Sequence, residues 1–189
     1  MKLRRGFKKE SEEIAVELRS ELGLPPDAPM CPWKLADHLE IPVHTLATAQ
    51  EFAPESVANL LAEGGNYFSA VTLFGGRSGH SRFICHNESH APTRQRANLS
   101  HELAHAILLH PATRIFECDP MAEEEAKWLG PTLLVTAAAT NRIVNERLDH
   151  ESAAKQYGVS VELLRMRVNV TGANLIASRK QFFRQKPTS

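Results

Sequence analysis

Apolar residues recur along this chain with two different periods, and those periods divide it into elements. Phe7, Ile14, Leu18 and Leu22 fall on one stripe, which predicts an amphipathic helix from Phe7 to Leu22 closed by Gly23. The turn Pro25-Pro26-Asp27-Ala28-Pro29 separates it from a short helix over Trp33 to Leu39. Ile41-Pro42-Val43-His44-Thr45-Leu46 has the character of a strand, which Pro42 would confine to a sheet edge. From Glu51 to Glu63 no period stands out, and Gly64-Gly65-Asn66 marks a turn. Tyr67 to Phe74 and Arg82 to His86 then read as the strands of a hairpin, joined by a Gly-rich loop over Gly75 to His80.

A longer helical pattern follows. Leu99, Leu103, Ala106 and Ile107 recur at i, i+4, i+7 and i+8, predicting a helix from Thr93 to His110. Thr93 is a suitable N-cap, and Pro111 disfavours helical geometry at His110. Met121 to Leu129 reads as a second helix with Ala122, Ala126, Leu129 and Leu133 on its core face. Gly130-Pro131 predicts a kink or a restart before Leu133. In the last third, Ala154, Gly158, Val159 and Leu164 have the spacing of a helix-turn-helix, and fraying is expected from about Gln181.

Composition narrows the class. With 189 residues, 42% of them hydrophobic, the chain can bury one good core, with or without a small helical appendage. Lys plus Arg equals Asp plus Glu at 22 each, so overall charge argues for neither nucleic acid nor membrane. From Ser160 onward, however, six basic residues stand against Glu162 alone, and a basic patch there could touch DNA. The three cysteines, Cys31, Cys85 and Cys118, are odd in number and far apart, which suits a reducing compartment. Cys85, in an apolar run, reads as a small buried residue. The basic start Met1 to Lys9 leads into Glu10-Ser11-Glu12-Glu13 instead of an apolar segment, and no run is long enough to span a bilayer. The expected location is cytoplasmic.

The chemistry concentrates in His101-Glu102-Leu103-Ala104-His105, an H-E-x-x-H sequence. A shuffled chain of this composition would contain the pattern with a probability of about 0.04, so its meaning comes from its place on a helix. Two histidines four residues apart share a helix face, with Cβ atoms about 5–6 Å apart, and can reach one zinc ion. Glu102 projects about 100° away, near enough to act on a water as a base without itself binding the metal. His110 lies on the opposite face of a continuous helix and is not expected to be the third ligand. On the second helix Glu124 points away from the core face, while Glu123 and Glu125 flank it, Glu123 the closer. Either a third ligand or a solvated acidic first turn accounts for them. His38 and His44 read as surface residues; His80, His86 and His90 read as loop residues, one of which could line the site.

Several linked stretches resemble the ImmA/IrrE family of metallopeptidases, bacterial and phage proteins encoded near repressors. They are His86-Asn87-Glu88-Ser89-His90-Ala91-Pro92-Thr93-Arg94-Gln95-Arg96 leading into the H-E-x-x-H segment, Glu123-Glu124-Glu125-Ala126 with Leu133-Leu134, and Tyr157-Gly158-Val159-Ser160 with Leu164 and Arg167. The resemblance implies that His101, His105 and Glu123 bind Zn2+ and that Glu102 is the general base. It implies cleavage of helix-turn-helix repressors in response to stress, or pairing with a DNA-binding partner. The chain departs from the pattern at Ala97, Ala104, Gly130-Pro131 and Thr136.

The fold that fits is α+β and zincin-like, a small twisted sheet packed on the H-E-x-x-H helix. Residues 1–140 would form the metallopeptidase domain, 141–180 a helix-turn-helix-like extension and 181–189 a tail. The expected activity is that of a zinc endopeptidase acting on a regulatory protein, with Arg94, Arg96 and the loop histidines as candidates for oxyanion stabilisation. The rival reading is a non-catalytic module with a structural or vestigial metal, binding a repressor or DNA. A closed structural site usually takes Cys or His in the fourth position, and Cys118 is the nearby candidate.

Overall fold

Leu99 and Leu103 on one helix and Leu129 and Leu133 on another are all fully buried, and the pairing of those two helices organises the structure. The computed structural model describes residues 3–52, 54, 57–58, 68–75, 81–110 and 119–184. Its elements in chain order are α1 (Phe7–Glu21), α2 (Pro32–His38), β1 (Val43–Thr45), α3 (Leu46–Phe52), β2 (Ala70–Gly75) and β3 (Ser81–His86). They continue with α4 (Pro92–Ile107), α5 (Pro120–Leu134), α6 (Ala137–Asn145), α7 (His150–Tyr157), α8 (Val161–Thr171) and α9 (Ala173–Arg184). The protein is mostly helical α+β, with a small mixed sheet.

The sheet has the order β1-β3-β2. β2 and β3 are antiparallel, Ala70 opposite His86 and Gly75 opposite Ser81, while β1 runs parallel to β3 with Val43 opposite Ile84. β1 is an edge strand, as Pro42 requires, and the Pro42 carbonyl accepts from Ile84 N at 2.9 Å. α4 contacts both β2 and β3.

One apolar core joins Phe7, Ala15 and Leu18 of α1, Ile84 of β3, Leu99 and Leu103 of α4, and Ala126, Leu129 and Leu133 of α5. A second gathers Leu134, Val135, Ala139, Ile143, Ala154, Tyr157, Val159 and Leu164. Adjacent residues of α5, Leu133 and Leu134, thus enter different cores. Each large apolar side chain buried this way contributes about 1.5–3 kcal/mol.

The C-terminus of α5 is held by buried arginines. Arg19 donates to Leu133 O at 2.8 Å, and to Ala15 O and Ala28 O at 2.9 Å each. Arg167 donates to Val135 O at 2.8 Å and pairs with Glu12, whose other oxygen accepts from Ala137 N at 2.8 Å. Cations here meet carbonyls that have no partner within the helix. Burial lowers the Arg19 guanidinium to about 10, which still leaves it charged near neutral pH.

Four sequence expectations need correction. α4 starts at Pro92 after Ala91, so Thr93 lies in its first turn and is not the N-cap. α4 also ends at Ile107, before His110. α5 continues through Gly130-Pro131 as one helix without the restart, because Leu129, Gly130, Thr132, Leu133 and Leu134 are all buried and their packing outweighs the lost N–H of Pro131. α9 remains helical as far as Arg184, past the expected fraying point. The Gly64-Gly65-Asn66 turn, most of the Gly-rich loop, Pro111 and Cys118 lie outside the described residues. No helix among the described residues is long and apolar enough to cross a membrane.

Candidate metal centre

His101 and His105 stand one turn apart on α4, their Nε2 atoms 3.2 Å from each other. Asp119 caps the start of α5 by accepting from Met121 N at 2.9 Å, and the first turn that follows carries Glu123. Glu123 Oε1 is 3.2 Å from His105 Nε2, and its Oε2 is 3.6 Å from His101 Nε2. Among the described residues this is the one group of three such donors gathered within 4.8 Å. Donors about 2.0–2.1 Å from a tetrahedral metal would lie about 3.3 Å apart, so the spacing fits a metal and leaves a fourth position for another ligand. Burial, with His101 adding to it, lowers His105 to about 4, which keeps its ring neutral and able to donate a lone pair.

Gly130 lets α5 come this near. A Cβ there would sit 3.1 Å from His101 Cα and 3.2 Å from His101 N. Gly130 is seven residues beyond Glu123, two turns along the same face, so the glycine and the carboxylate approach α4 together.

Glu102 is half-buried and lies outside the donor group. Its Oε2 accepts from Thr72 Oγ1 of β2 at 2.7 Å. Burial raises its carboxyl above the ordinary glutamate range, against the opposing pull of the Thr72 hydrogen bond and of His101. A carboxylate with one oxygen fixed by the sheet and set next to such a donor group can accept and return a proton.

Behind His105 stands His110, with their Nδ1 atoms 2.9 Å apart. The end of α4 puts it there. Leu109 adopts a left-handed conformation at φ 54°, Leu109 N donates to Ala106 O at 3.1 Å and His110 N to His105 O at 3.0 Å, a Schellman turn. The chain reverses and brings the His110 ring back against the last turn. His110 Nε2 then faces Glu125 Oε2 at 3.4 Å, and Glu125 Oε1 accepts from Arg4 Nε at 2.7 Å.

The structure therefore brings His101, His105 and Glu123 together and separates Glu125 from them. It also places residues at the site that the sequence did not single out: Thr72, Glu125 as the partner of His110, and Arg4. Arg96 has partners of its own. Its guanidinium donates to Met30 O at 2.6 Å and faces Tyr157 O below Gly158. Arg94 donates to Ser69 Oγ at 3.0 Å. His86 is not a loop residue but the buried end of β3, edge-on to Trp33 with ring centres 6.0 Å apart. Cys85 is buried as expected, and burial raises its thiol to about 11. His80 lies outside the described residues.

No curated protein matches the chain. A family model does, Peptidase_M78, the IrrE N-terminal-like domain, over residues 59–169, a span that holds α4, α5 and every residue of the donor cluster. With a metallopeptidase family model covering more than half of its length and a His-His-Glu cluster inside that match, the chain belongs to the Peptidase_M78 family of IrrE N-terminal-like domains.

Proposed function

We propose that this protein is a zinc-dependent endopeptidase whose substrate is a DNA-binding repressor or a similar regulatory protein. The observation that carries the reading is the placement of Glu102, held by Thr72 of β2 beside three converging metal donors that leave a fourth position open. His101, His105 and Glu123 would hold the ion. When bound there, zinc supplies Lewis acidity, which makes a water a better nucleophile near neutral pH and polarises the scissile carbonyl.

The remaining work belongs to the chain. Glu102 takes the proton from the attacking water while the new C–O bond forms. The same carboxyl then delivers that proton to the departing amine as the C–N bond breaks. Its raised proton affinity suits a group that must both take and give. β2 occupies the outer position in the sheet and has no second partner strand among the described residues. An extended substrate segment pairing with that edge would pass beside Glu102.

The repressor comes from the likeness to ImmA/IrrE proteins, and with it a cytoplasmic setting. We read α7, the Gly158 turn and α8 as a helix-turn-helix-like extension that packs on the peptidase domain. Direct DNA contact through it is the weaker reading, because Arg167, one of its basic residues, is buried against Val135 and Glu12.

The deciding experiment compares the parent with Glu102→Gln. The variant should fold, keep about one zinc per chain and lose cleavage by 100-fold or more, while trapping its substrate. Undiminished cleavage by the variant would refute the mechanism. Full metal binding without cleavage in either protein would turn the reading to a binding module.

A further inference from the structure

We infer that His110 is a positioning residue for the metal site, acting with Glu125 and Arg4 to hold His105 in the tautomer whose Nε2 lone pair faces Glu123 and His101. The inference rests on the reading of His105 as a metal ligand, and the rest follows from proton counting. His105 presents Nε2 to Glu123 and to His101, each at 3.2 Å, so Nε2 must be free of hydrogen to bind a cation. A neutral imidazole then carries its proton on Nδ1. The atom opposite, 2.9 Å away, is Nδ1 of His110, and two ring nitrogens at that distance share one proton. His110 Nδ1 must therefore accept, which places the His110 proton on Nε2, where Glu125 Oε2 waits at 3.4 Å.

The far end of the chain is anchored too. Arg4 donates Nε to Glu125 Oε1 at 2.7 Å and spreads its two terminal nitrogens over the Glu10 carboxylate at 2.6 and 2.7 Å. Glu125 is buried, and its Oε1 is held by the Arg4 guanidinium. Each link points the same way: Arg4 fixes Glu125, Glu125 orients the His110 proton, and His110 orients the His105 proton. The backbone sets the length of the device, because the left-handed Leu109 joins His105 and His110 a second time through His110 N and His105 O. Outer partners of this kind typically change metal affinity by about 10–100-fold.

The test uses the full chain with zinc and three variants. His110→Leu removes the acceptor, His110→Asn restores an oxygen near the position of Nδ1, and Glu125→Gln weakens the orienting acceptor. Zinc affinity, measured by competition with a chelator, should fall about 10–100-fold in His110→Leu, recover to within about 5-fold in His110→Asn, and fall by a smaller factor in Glu125→Gln. Long-range 15N correlation spectra of the zinc-loaded parent should show His105 protonated at Nδ1 and His110 at Nε2. A parent that binds zinc with His110 protonated at Nδ1, or a folded His110→Leu that binds within 2-fold of the parent, would overturn this role while leaving the metal site intact. A parent that binds no zinc would instead remove the site itself, and the inference with it. Should His110→Leu fail to fold, the spectra of the parent and the affinity of His110→Asn still decide.

Discussion

Gly130 of α5 lies against the backbone of His101, so near that a Cβ would meet His101 Cα at 3.1 Å and Ser100 C at 3.3 Å. In an exposed helix, replacing Gly by Ala gains roughly 0.5–1 kcal/mol. Here the sign reverses, because backbone cannot swing aside as a flexible side chain can. Gly130→Ala should lose about 1–3 kcal/mol in chemical denaturation. It should also weaken metal binding, since the same displacement carries Glu123 away from the histidines. A variant as stable as the parent, with unchanged metal affinity, would show that the helices have room to part.

Thr72→Val removes the hydroxyl that donates to Glu102 while nearly conserving shape. A hydrogen bond to a charged group is worth about 1.5–3 kcal/mol, so turnover should drop about 10–100-fold with metal content unchanged. Thr72→Ser should restore most of it. Loss of metal in the valine variant would mean that Thr72 supports the donor cluster and not the base.

Leu109 pays for the Schellman turn with a left-handed backbone, although its side chain is 81% exposed and packs on little. Such a conformation costs an L-residue roughly 1–2 kcal/mol, and glycine avoids that at some expense in unfolded-chain entropy. Leu109→Gly should therefore raise stability by about 0.5–1 kcal/mol, a gain of about 2 °C in Tm. Metal affinity should stay the same, because the turn that places His110 is preserved. A drop in Tm would point to a packing role for the leucine.

His86 supplies a pH dependence. Burial lowers its pKa below the ordinary histidine value, with Glu88 opposing. The unfolded chain then binds more protons than the native one as pH falls, so stability is lost on acidification below about 6.5. In His86→Phe, which keeps a ring against Trp33, the loss of stability between about pH 7.5 and 5 should be smaller than in the parent. An equal loss in both proteins would assign the acid sensitivity elsewhere.

The site divides by how local its signals are. His101, Glu102 and His105 are legible because one helical turn relates them; helical angle sets Glu123 and Glu125 ahead of Glu124, and the choice of Glu123 as a ligand comes from the family resemblance. His110 escapes the same argument for a physical reason. Its angular position assumes a helix that continues, whereas α4 stops at Ile107 and reverses through a leucine in a conformation that no leucine advertises. Thr72 and Arg4 are beyond local reading, since they meet Glu102 and Glu125 across 30 and 121 residues. Gly130-Pro131 shows the opposite failure. A strong local signal for a break is overridden by burial on both sides of it.

The arginine clamps also set an order of events during folding. Arg19 ties α1 to Leu133 across 114 residues, and the pair Glu12–Arg167 ties α1 to α8 across 155. Contacts this distant in sequence close slowly, because chain entropy must be surrendered before they return anything. During synthesis α1 precedes the distant partners of Arg19 and Glu12, which are Leu133, Ala137 and Arg167. α5, which carries Glu123, gains its full anchorage only after α8 has left the ribosome. Glu123 is therefore carried by a helix whose far end is fully anchored only once the chain as far as Arg167 has been made.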